Sequence, residues 1–392
     1  MSEKVFERKK KESKPVVAIC YDFDKTLSPD NMQAQGFLQA VGYEDEKRFW
    51  TESNDLAEEN NMDQNLAYMF KMKSVSRGKR IFTKQTLMEH GATVKLFPGV
   101  EKWFERIRNY GEKHGVIIEH YIISSGLKEM IEGTSVAKAD AFEKIYASSF
   151  YYDDDGVAVW PAQVINYTNK TQFLFRIEKG VLDINDMAVN KYFSPDEIRV
   201  PFRNMVYIGD SDTDIPCMKL VNANGGHSIG VYNPDTQDKT KVLEIMHDNR
   251  IKYFAMADYS ENSELDKLVK MIIDKTVTNE KLEELHYKQL NESNEYAMSQ
   301  ACKVETTRKD SVISSLESSY SFTSTHTVIA ELNKYDAFNK TQANDLCKIA
   351  IENSQVNWIL EDEDIKNFYM KVFKFCGNTK YVRELKAKYK VK

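Results

Sequence analysis

Cysteine, proline and glycine are scarce in this chain of 392 residues, which contains five Cys, eight Pro and 16 Gly. So few prolines and glycines exclude a collagen-like chain and leave little room for long Pro-rich segments. The cysteines are Cys20, Cys217, Cys302, Cys347 and Cys376. Because they are odd in number, widely scattered and never arranged as C-x-x-C, they argue against a disulfide framework and against a structural zinc site. We therefore expect reduced thiols.

Long apolar runs and an excess of positive charge are also absent. The first apolar run, at residues 16–20, is far shorter than the roughly 20 residues of a membrane-spanning helix, and the N-terminal residues lack the apolar stretch of a signal peptide. The chain has 54 Lys and Arg against 60 Asp and Glu, a net charge of −6, which argues against a protein that coats nucleic acid. We expect a cytoplasmic protein without a membrane span.

Apolar runs alternate with helical patterns through the first 275 residues. With 42% hydrophobic residues, the chain can bury a sizeable core. Short apolar runs predict strands at residues 16–21, 116–123, 205–208, 228–232 and 253–258, and a hairpin of strands 146–152 and 157–160. Apolar residues at helical spacing predict helices at 100–110, 171–178, 215–221 and 263–275. This alternation predicts an α/β fold with a doubly wound, mostly parallel sheet.

The same patterns divide the chain into a core, an insertion and a C-terminal region. Residues 31–97 show helical spacing and no clear strand, so we predict a helical cap inserted into a core of residues 1–278. Polar helical and Ser/Thr-rich stretches at 279–326 predict a linker, and amphipathic patterns at 327–392 predict a small helical module. Because nothing in that module resembles a catalytic motif, we expect it to recruit a protein partner or to form homo-oligomers.

Acidic residues directly follow two of the predicted strands. Asp22 and Asp24 lie in DFDKT after the strand at 16–21, and Asp210 and Asp214 lie in IGDSDTD after the strand at 205–208. If the two strands are neighbours in the sheet, these carboxylates converge at one edge, where hard oxygen ligands suit Mg²⁺. The alternatives are a solvated acid pair after the first strand and an Asx-rich turn that caps a helix after the second.

A serine and a lysine occupy comparable places between the two acid pairs. Ser124 follows the predicted strand 116–123 and precedes Ser125 and Gly126, whereas Lys170 stands at the start of the predicted helix 171–178. Either residue alone would be an ordinary surface residue. In the order acid pair, serine, lysine, acid pair, each at a strand end or a helix start, they predict a single polar site.

These four segments together resemble the motifs of the haloacid dehalogenase superfamily, in its phosphoserine-phosphatase-like branch. DFDKT is similar to the family's D-x-D-x-T, IISSG to its apolar strand ending in serine, Lys170 to its lone lysine, and IGDSDTD to its G-D-x-x-x-D. The resemblance covers roughly residues 15–275. It implies a Mg²⁺-dependent phosphatase with an inserted helical cap.

The resemblance implies roles for the four acids. Asp22 is expected to be the nucleophile that forms an aspartyl-phosphate, and Asp24 the general acid and base. Mg²⁺ is expected to bind Asp22, the backbone carbonyl of Asp24, and Asp210. Asp214 is expected to be a further metal ligand or a neighbour that orients water.

The resemblance also implies how phosphate and substrate are bound. Ser124, the backbone N–H groups around Ser125 and Gly126, and Lys170 are expected to bind the phosphoryl group. Phosphoserine phosphatases carry an acid nine residues after the nucleophile, but this chain has Asn31 there. This difference argues against phosphoserine and leaves a small phosphorylated metabolite or a nucleotide as the predicted substrate.

A second hypothesis is a binding or scaffold protein that has a phosphatase fold but no turnover, with C-terminal helices that recruit a partner. The acids distinguish the two hypotheses. Clustered like charges repel one another, so a protein without the chemistry has no physical reason to keep them. The sequence therefore favours the enzyme.

Overall fold

One seven-stranded sheet organises the N-terminal part of the chain. The computed structural model describes residues 5–79, 82–195 and 197–391, with the backbone alone at residues 301 and 302. Within these ranges the strands are β1 (Val16–Tyr21), β2 (Ile117–Leu127), β3 (Lys144–Tyr152), β4 (Ala158–Gln163), β5 (Met205–Gly209), β6 (His227–Tyr232) and β7 (Tyr253–Met256). Their order in the sheet is β4-β3-β2-β1-β5-β6-β7. Neighbours pair in parallel except for the antiparallel β3–β4 hairpin, which confirms the predicted sheet.

Helices pack around this sheet and form the cap. The cap helices are α1 (Phe37–Ala40), α2 (Glu46–Glu59), α3 (Gln64–Ser76) and α4 (Lys84–Gly91). The core helices are α5 (Val100–Lys113), α6 (Lys128–Gly133), α7 (Ser135–Lys138), α8 (Thr171–Lys179), α9 (Ile215–Ala223) and α10 (Thr240–His247). Short 3₁₀ turns lie at Met32–Ala34, Met187–Asn190, Phe202–Asn204 and Asp212–Asp214. Residues 37–91 therefore contain helices in their described part, as the apolar spacing predicted.

The central strand β1 separates two apolar cores. Because successive side chains of a strand point to opposite faces of a sheet, its six buried residues divide between the two cores. One core takes Val17, Ile19 and Tyr21, and the other takes Val16, Ala18 and Cys20. Burial on both faces explains why β1 is an unbroken apolar run rather than an alternating one.

The cap returns to the core at Pro98 and Gly99. Gly99 has a left-handed backbone with φ of 77°, and it caps α5. A Cβ atom at this position would lie 2.3 Å from the backbone nitrogen of Ser260. Both the turn and this close approach require glycine.

Two details of the core differ from the sequence predictions. Strand β2 continues to Leu127, so the segment 124–126 belongs to the end of the strand, with a shift in its pairing to β3 after Ile123. Helix α10 was not predicted, because it is short and buries only Val242 and Ile245, which gives a weak periodic signal.

The helix predicted to end near residue 275 continues much further. Helix α11 (Glu264–Glu317) has 54 residues and passes the predicted boundary near Thr278 without a break. Its sequence contains neither Gly nor Pro, the two residues that most strongly interrupt helices. The chain divides into two compact units between Glu283 and Glu284, inside this helix.

The second unit, residues 284–392, contains helices and has a core of its own. After the end of α11 it contains α12 (Phe322–Leu332), α13 (Lys340–Glu352), α14 (Ser354–Trp358), α15 (Glu363–Val372) and α16 (Lys380–Lys388). Leu316, Leu346 and Phe368 are fully buried in its core. No helix among the described residues of the whole chain is long and apolar enough to cross a membrane.

Candidate active site

Two neighbouring strands bring three of the predicted acids together. Strands β1 and β5 pair in parallel, and the backbone nitrogen of Asp22 donates to the carbonyl of Ile208 at 3.0 Å. Asp22 and Asp210 thus leave the same edge of the sheet, and Asp214 follows one turn later. One carboxylate oxygen from each of these three acids lies within 4.8 Å of the other two. The predicted convergence of Asp22, Asp210 and Asp214 is therefore present in the structure.

Lys170 lies beneath this acid cluster and is completely buried. Its Nζ atom is 2.7 Å from Oδ1 of Asp214 and 3.2 Å from Oδ1 of Asp22. Burial lowers the pKa of the lysine, but the charges of Asp214 and Asp22 oppose it and hold the pKa above its ordinary value. The lysine is thus a fixed positive charge between the two carboxylates.

The cluster carries more negative charge than one lysine can balance. Burial, opposed by Lys170 and reinforced by the charge of Asp214, raises the pKa of Asp22 above its ordinary value. Burial and the charges of Asp214 and Asp22 likewise raise the pKa of Asp210 well above its ordinary value. A cation is the group that would relieve this excess of buried negative charge.

The free oxygen atoms of the cluster suit a divalent cation. Oδ1 of Asp22 is buried and accepts no hydrogen bond, although Lys170 lies at ion-pair distance. Oδ1 of Asp210 accepts only a long hydrogen bond of 3.4 Å from Thr26. Carboxylate oxygens in such a position are the ligands that Mg²⁺ prefers, so these residues fit the predicted ion.

Asp214 is engaged differently from the other two acids. Its Oδ1 accepts hydrogen bonds from Lys170 at 2.7 Å and from the hydroxyl of Tyr207 at 2.9 Å. Its Oδ2 accepts from the hydroxyl of Ser211 at 3.0 Å. These donors fix the Asp214 carboxylate beside Lys170, and one of its oxygens remains close to those of Asp22 and Asp210.

Asp24 is held by the segment that leads into the cap. Its Oδ1 accepts a hydrogen bond of 2.7 Å from the backbone nitrogen of Met32. Burial, together with the charge of Asp22, raises the pKa of Asp24 to about 8. The Asp24 carboxyl therefore carries a proton near neutral pH, as a general acid requires.

Ser124, Ser125 and Gly126 lie next to the acids at the end of β2. Ser124 is buried, and its side chain opposes part of the rise that burial causes in the pKa of Asp22. The Gly126 nitrogen donates to Oγ of Ser124 at 3.1 Å. A Cβ atom at Gly126 would come within 3.0 Å of Oδ2 of Asp24 and 2.5 Å of Cε of Met32. A larger residue at this position would displace the end of the Met32 side chain and crowd the carboxylate of Asp24.

A cavity of about 580 Å³ opens above the acids toward the cap. Its lining includes Asp22, Asp24, Asp210 and Ser125 at the sheet edge. Asn31, the residue expected to replace the acid of phosphoserine phosphatases, also lines it. Ser124, Gly126, Lys170 and Asp214 lie behind this surface rather than on it.

Sequence reasoning missed two tyrosines of the site. Tyr207 precedes Gly209 by two residues on β5 and donates to Asp214, a role that alternation along the strand could have suggested. Tyr68 on α3 donates to the carbonyl of Ser125 at 2.7 Å. No local sequence signal points to this second contact, because the partners are 57 residues apart.

The parallel sheet and the acids at its edge are typical of a hydrolase that uses carboxylates. The family model of haloacid dehalogenase-like hydrolases matches residues 19–219. This match spans more than half of the chain and includes every predicted site residue, and the chain belongs to this family of hydrolases. An uncharacterized protein of Borreliella burgdorferi is 25% identical over an alignment of 280 residues, and the alignment covers 65% of this chain and 95% of that protein.

Several solved structures are similar to about two thirds of the chain. A family hydrolase from Salmonella enterica serovar Typhi has a TM-score of 0.44 and 17% identity, over 67% of this chain and 73% of that one. A phosphoserine phosphatase with an analogue of its phospho-aspartyl intermediate has a TM-score of 0.40 and 14% identity, over 66% and 99% of the two chains. A cytosolic 5'-nucleotidase IIIB bound to cytidine has a TM-score of 0.40 and 15% identity, over 66% and 86%.

Proposed function

We propose that this hydrolase is a phosphatase that cleaves phosphate monoesters through an aspartyl-phosphate on Asp22. The observation that carries the proposal is the convergence of Asp22, Asp210 and Asp214, with the buried Lys170 paired to Asp22 and Asp214 and with Asp24 in the same cavity lining as Asp22. A phosphoryl group needs an oxygen nucleophile in line with the leaving oxygen and positive charge around its other oxygens. Asp22 supplies the first, and Lys170 contributes to the second.

Asp22 and Asp24 divide the chemical work between them. A carboxylate oxygen of Asp22 attacks phosphorus as the bond from phosphorus to the ester oxygen breaks. Asp24, protonated near neutral pH, gives its proton to the departing alkoxide. Asp24 then takes a proton from the water that attacks the phosphorus of the intermediate, which releases inorganic phosphate and frees Asp22.

Mg²⁺ is the cofactor that the free acids would hold. The carboxylates of Asp22 and Asp210, with the backbone carbonyl of Asp24, would bind it, and it would neutralise charge on the phosphoryl oxygens. Asp214 would contribute by keeping Lys170 in place. Ser124 and the N–H groups of Ser125 and Gly126 would donate to the phosphoryl oxygens.

The substrate would occupy the cavity between the acids and the cap. Its volume of about 580 Å³ accommodates a group larger than phosphate alone. Asn31 in the lining offers an amide where a carboxylate would be needed to pair with an ammonium group. We therefore propose a small phosphorylated metabolite or a nucleotide rather than phosphoserine.

A phosphate-release screen tests the proposal directly. Purified protein would be assayed on sugar phosphates, nucleoside monophosphates and phosphoamino acids, with Mg²⁺ and with a chelator. Asp22→Asn should abolish release, because an amide does not attack phosphorus. Asp212→Asn is the matched control, since Asp212 lies in the same loop as Asp210 with a largely exposed side chain.

The screen has two outcomes that contradict the proposal. Activity of Asp22→Asn equal to that of the wild type would refute the assignment of the nucleophile. The absence of Mg²⁺-dependent release on every substrate would refute the phosphatase. Full activity of Asp212→Asn beside an inactive Asp22→Asn is the expected result.

A further inference from the structure

Tyr68 connects the cap to the peptide between Ser125 and Gly126. It lies on α3, and only 4% of the residue is exposed. Its hydroxyl donates to the carbonyl oxygen of Ser125 at 2.7 Å. This hydrogen bond joins a cap helix directly to the segment proposed to bind the phosphoryl group.

The bond to Tyr68 determines where the next N–H group points. A trans peptide is planar, and its C=O and N–H groups point in opposite directions. Because the Ser125 carbonyl points to Tyr68, the Gly126 N–H points away from α3, to Oγ of Ser124 at 3.1 Å. Gly126 also lies against Asp24, since a Cβ at residue 126 would be 3.0 Å from Oδ2 of that acid. The N–H group held in this way is therefore beside the acids.

Further contacts fix the Tyr68 hydroxyl. Ser148 on β3 lies near enough to oppose part of the rise in the pKa of Tyr68, and Oγ of Ser148 accepts from the backbone nitrogen of Ile165 at 3.0 Å. Asn65, one turn before Tyr68 on α3, donates through Nδ2 to the carbonyl of Ile165 at 2.7 Å. Burial raises the pKa of Tyr68, so the hydroxyl keeps the proton that it donates. Helix α3 is thus tied to two core segments at once.

We propose that Tyr68 is a positioning residue of the phosphatase, whose hydroxyl orients the peptide between Ser125 and Gly126 so that the Gly126 N–H holds Oγ of Ser124, which donates its own proton to the phosphoryl group. The proposal rests on the proposed function. It implies that phosphate binding and the seating of the cap are coupled, because α3 supplies the hydroxyl that fixes the phosphate-binding segment. Tyr68 itself does not line the cavity among the described residues.

The test compares two hydroxyl deletions in the full chain. Tyr68→Phe removes the contact and keeps the ring. Tyr146→Phe is the matched control, because Tyr146 is also buried and its hydroxyl donates to a backbone carbonyl, that of Leu182, at 2.9 Å. Calorimetry would measure the affinity for inorganic phosphate with Mg²⁺ present, and hydrogen exchange would measure the protection of amides 124–127.

Tyr68→Phe should weaken phosphate binding about tenfold, because a misplaced segment 124–126 loses one well-aligned hydrogen bond to the anion. It should also speed the exchange of amide hydrogens at residues 124–127. Tyr146→Phe should change neither quantity.

Wild-type affinity in Tyr68→Phe, or unchanged exchange at 124–127, would overturn the positioning role. Equal losses in both tyrosine variants would also overturn it, since they would indicate a general loss of stability. If the wild type neither binds phosphate nor hydrolyses esters, the proposed function fails. The exchange comparison still decides in that case whether Tyr68 orients the peptide.

Discussion

Replacement of Lys170 by methionine should destabilise the protein strongly, because it leaves two buried carboxylates without their counter-charge. Coulomb's law with an effective dielectric constant of about 20 gives an attraction of roughly 6 kcal/mol for two charges at the 2.7 Å that separates Lys170 and Asp214. Desolvation of the ammonium group offsets part of this attraction. We therefore expect Lys170→Met to lower the free energy of unfolding by about 3–5 kcal/mol, as is usual for a broken buried ion pair.

Urea unfolding in the presence of a chelator measures this loss without a cation that could replace the lysine. Lys179→Met is the control, because Lys179 ends α8, the helix that Lys170 precedes, and it donates to the backbone carbonyls of Val189 and Lys191 without an acidic partner in the described residues. It should lose only about 1–2 kcal/mol.

The double variant Lys170→Met/Asp214→Asn should be more stable than Lys170→Met alone, because one of the unpaired charges is gone. Asp214→Asn should not improve the stability of Lys179→Met. A loss below about 1 kcal/mol in Lys170→Met, or no recovery in the double variant, would refute the electrostatic reasoning.

Other contacts predict three further results. Asp24→Asn should slow hydrolysis of alkyl phosphates at least about 100-fold and that of para-nitrophenyl phosphate far less, because an alkoxide needs a proton to leave; equal losses would contradict proton transfer by Asp24. The hydrogen bond from His326 to Asp364 raises the pKa of the histidine. The stabilisation by this hydrogen bond should therefore be complete below about pH 6.5, the ordinary pKa of histidine, and should disappear as the pH rises through the higher pKa of the folded state. The urea concentration at the midpoint of unfolding should fall over this pH range in the wild type and not in His326→Gln. Identical profiles of the two proteins would contradict a stabilising role of this histidine. Diamide should join Cys347 and Cys376, whose sulfurs are 3.4 Å apart, with loss of one hydrogen from each thiol in the mass spectrum; the same mass loss in Cys376→Ser would contradict the pairing.

The acids of the site were predictable because the carboxyl ends of adjacent parallel strands lie side by side at one edge of a sheet. The apolar run of β1 favours a parallel strand buried on both faces, and the carboxyl ends of parallel strands meet at one edge of a sheet. The pairing of β1 with β5 then placed Asp22 beside Asp210. The sequence analysis made this convergence conditional on the two strands being neighbours, and the strand order of the structure meets that condition.

The ends of elements were harder to predict than their existence. The segment 124–126 contains two serines and a glycine, residues typical of a turn, yet β2 continues through it because the pairing with β3 resumes at Leu127. Helix α11 likewise passes Thr278 because the change from an amphipathic to a polar pattern does not end a helix when no Gly or Pro interrupts it. Tertiary pairing and the absence of helix breakers thus outweighed local composition.

Side-chain contacts between residues far apart in the sequence could not be predicted at all. The sulfurs of Cys347 and Cys376 approach each other across 29 residues, although each cysteine alone gives no signal. The side chain of Cys302, also predicted to be a reduced thiol, lies outside the described residues, whereas Cys20, Cys217, Cys347 and Cys376 are free thiols.

Tyr68 shows why a polar group on a core helix gives no sequence signal. It falls among Leu66, Met69 and Phe70, an apolar stretch at helical spacing, so that pattern indicates a residue buried for its ring. The ring is indeed buried, but a buried hydroxyl must also find a partner, and Ser125 is that partner. Which carbonyl it reaches depends on where the cap is seated, and the helical pattern of α3 does not contain that information. The coupling of cap and phosphate site therefore arises from the tertiary structure, between two segments that each look ordinary in the sequence.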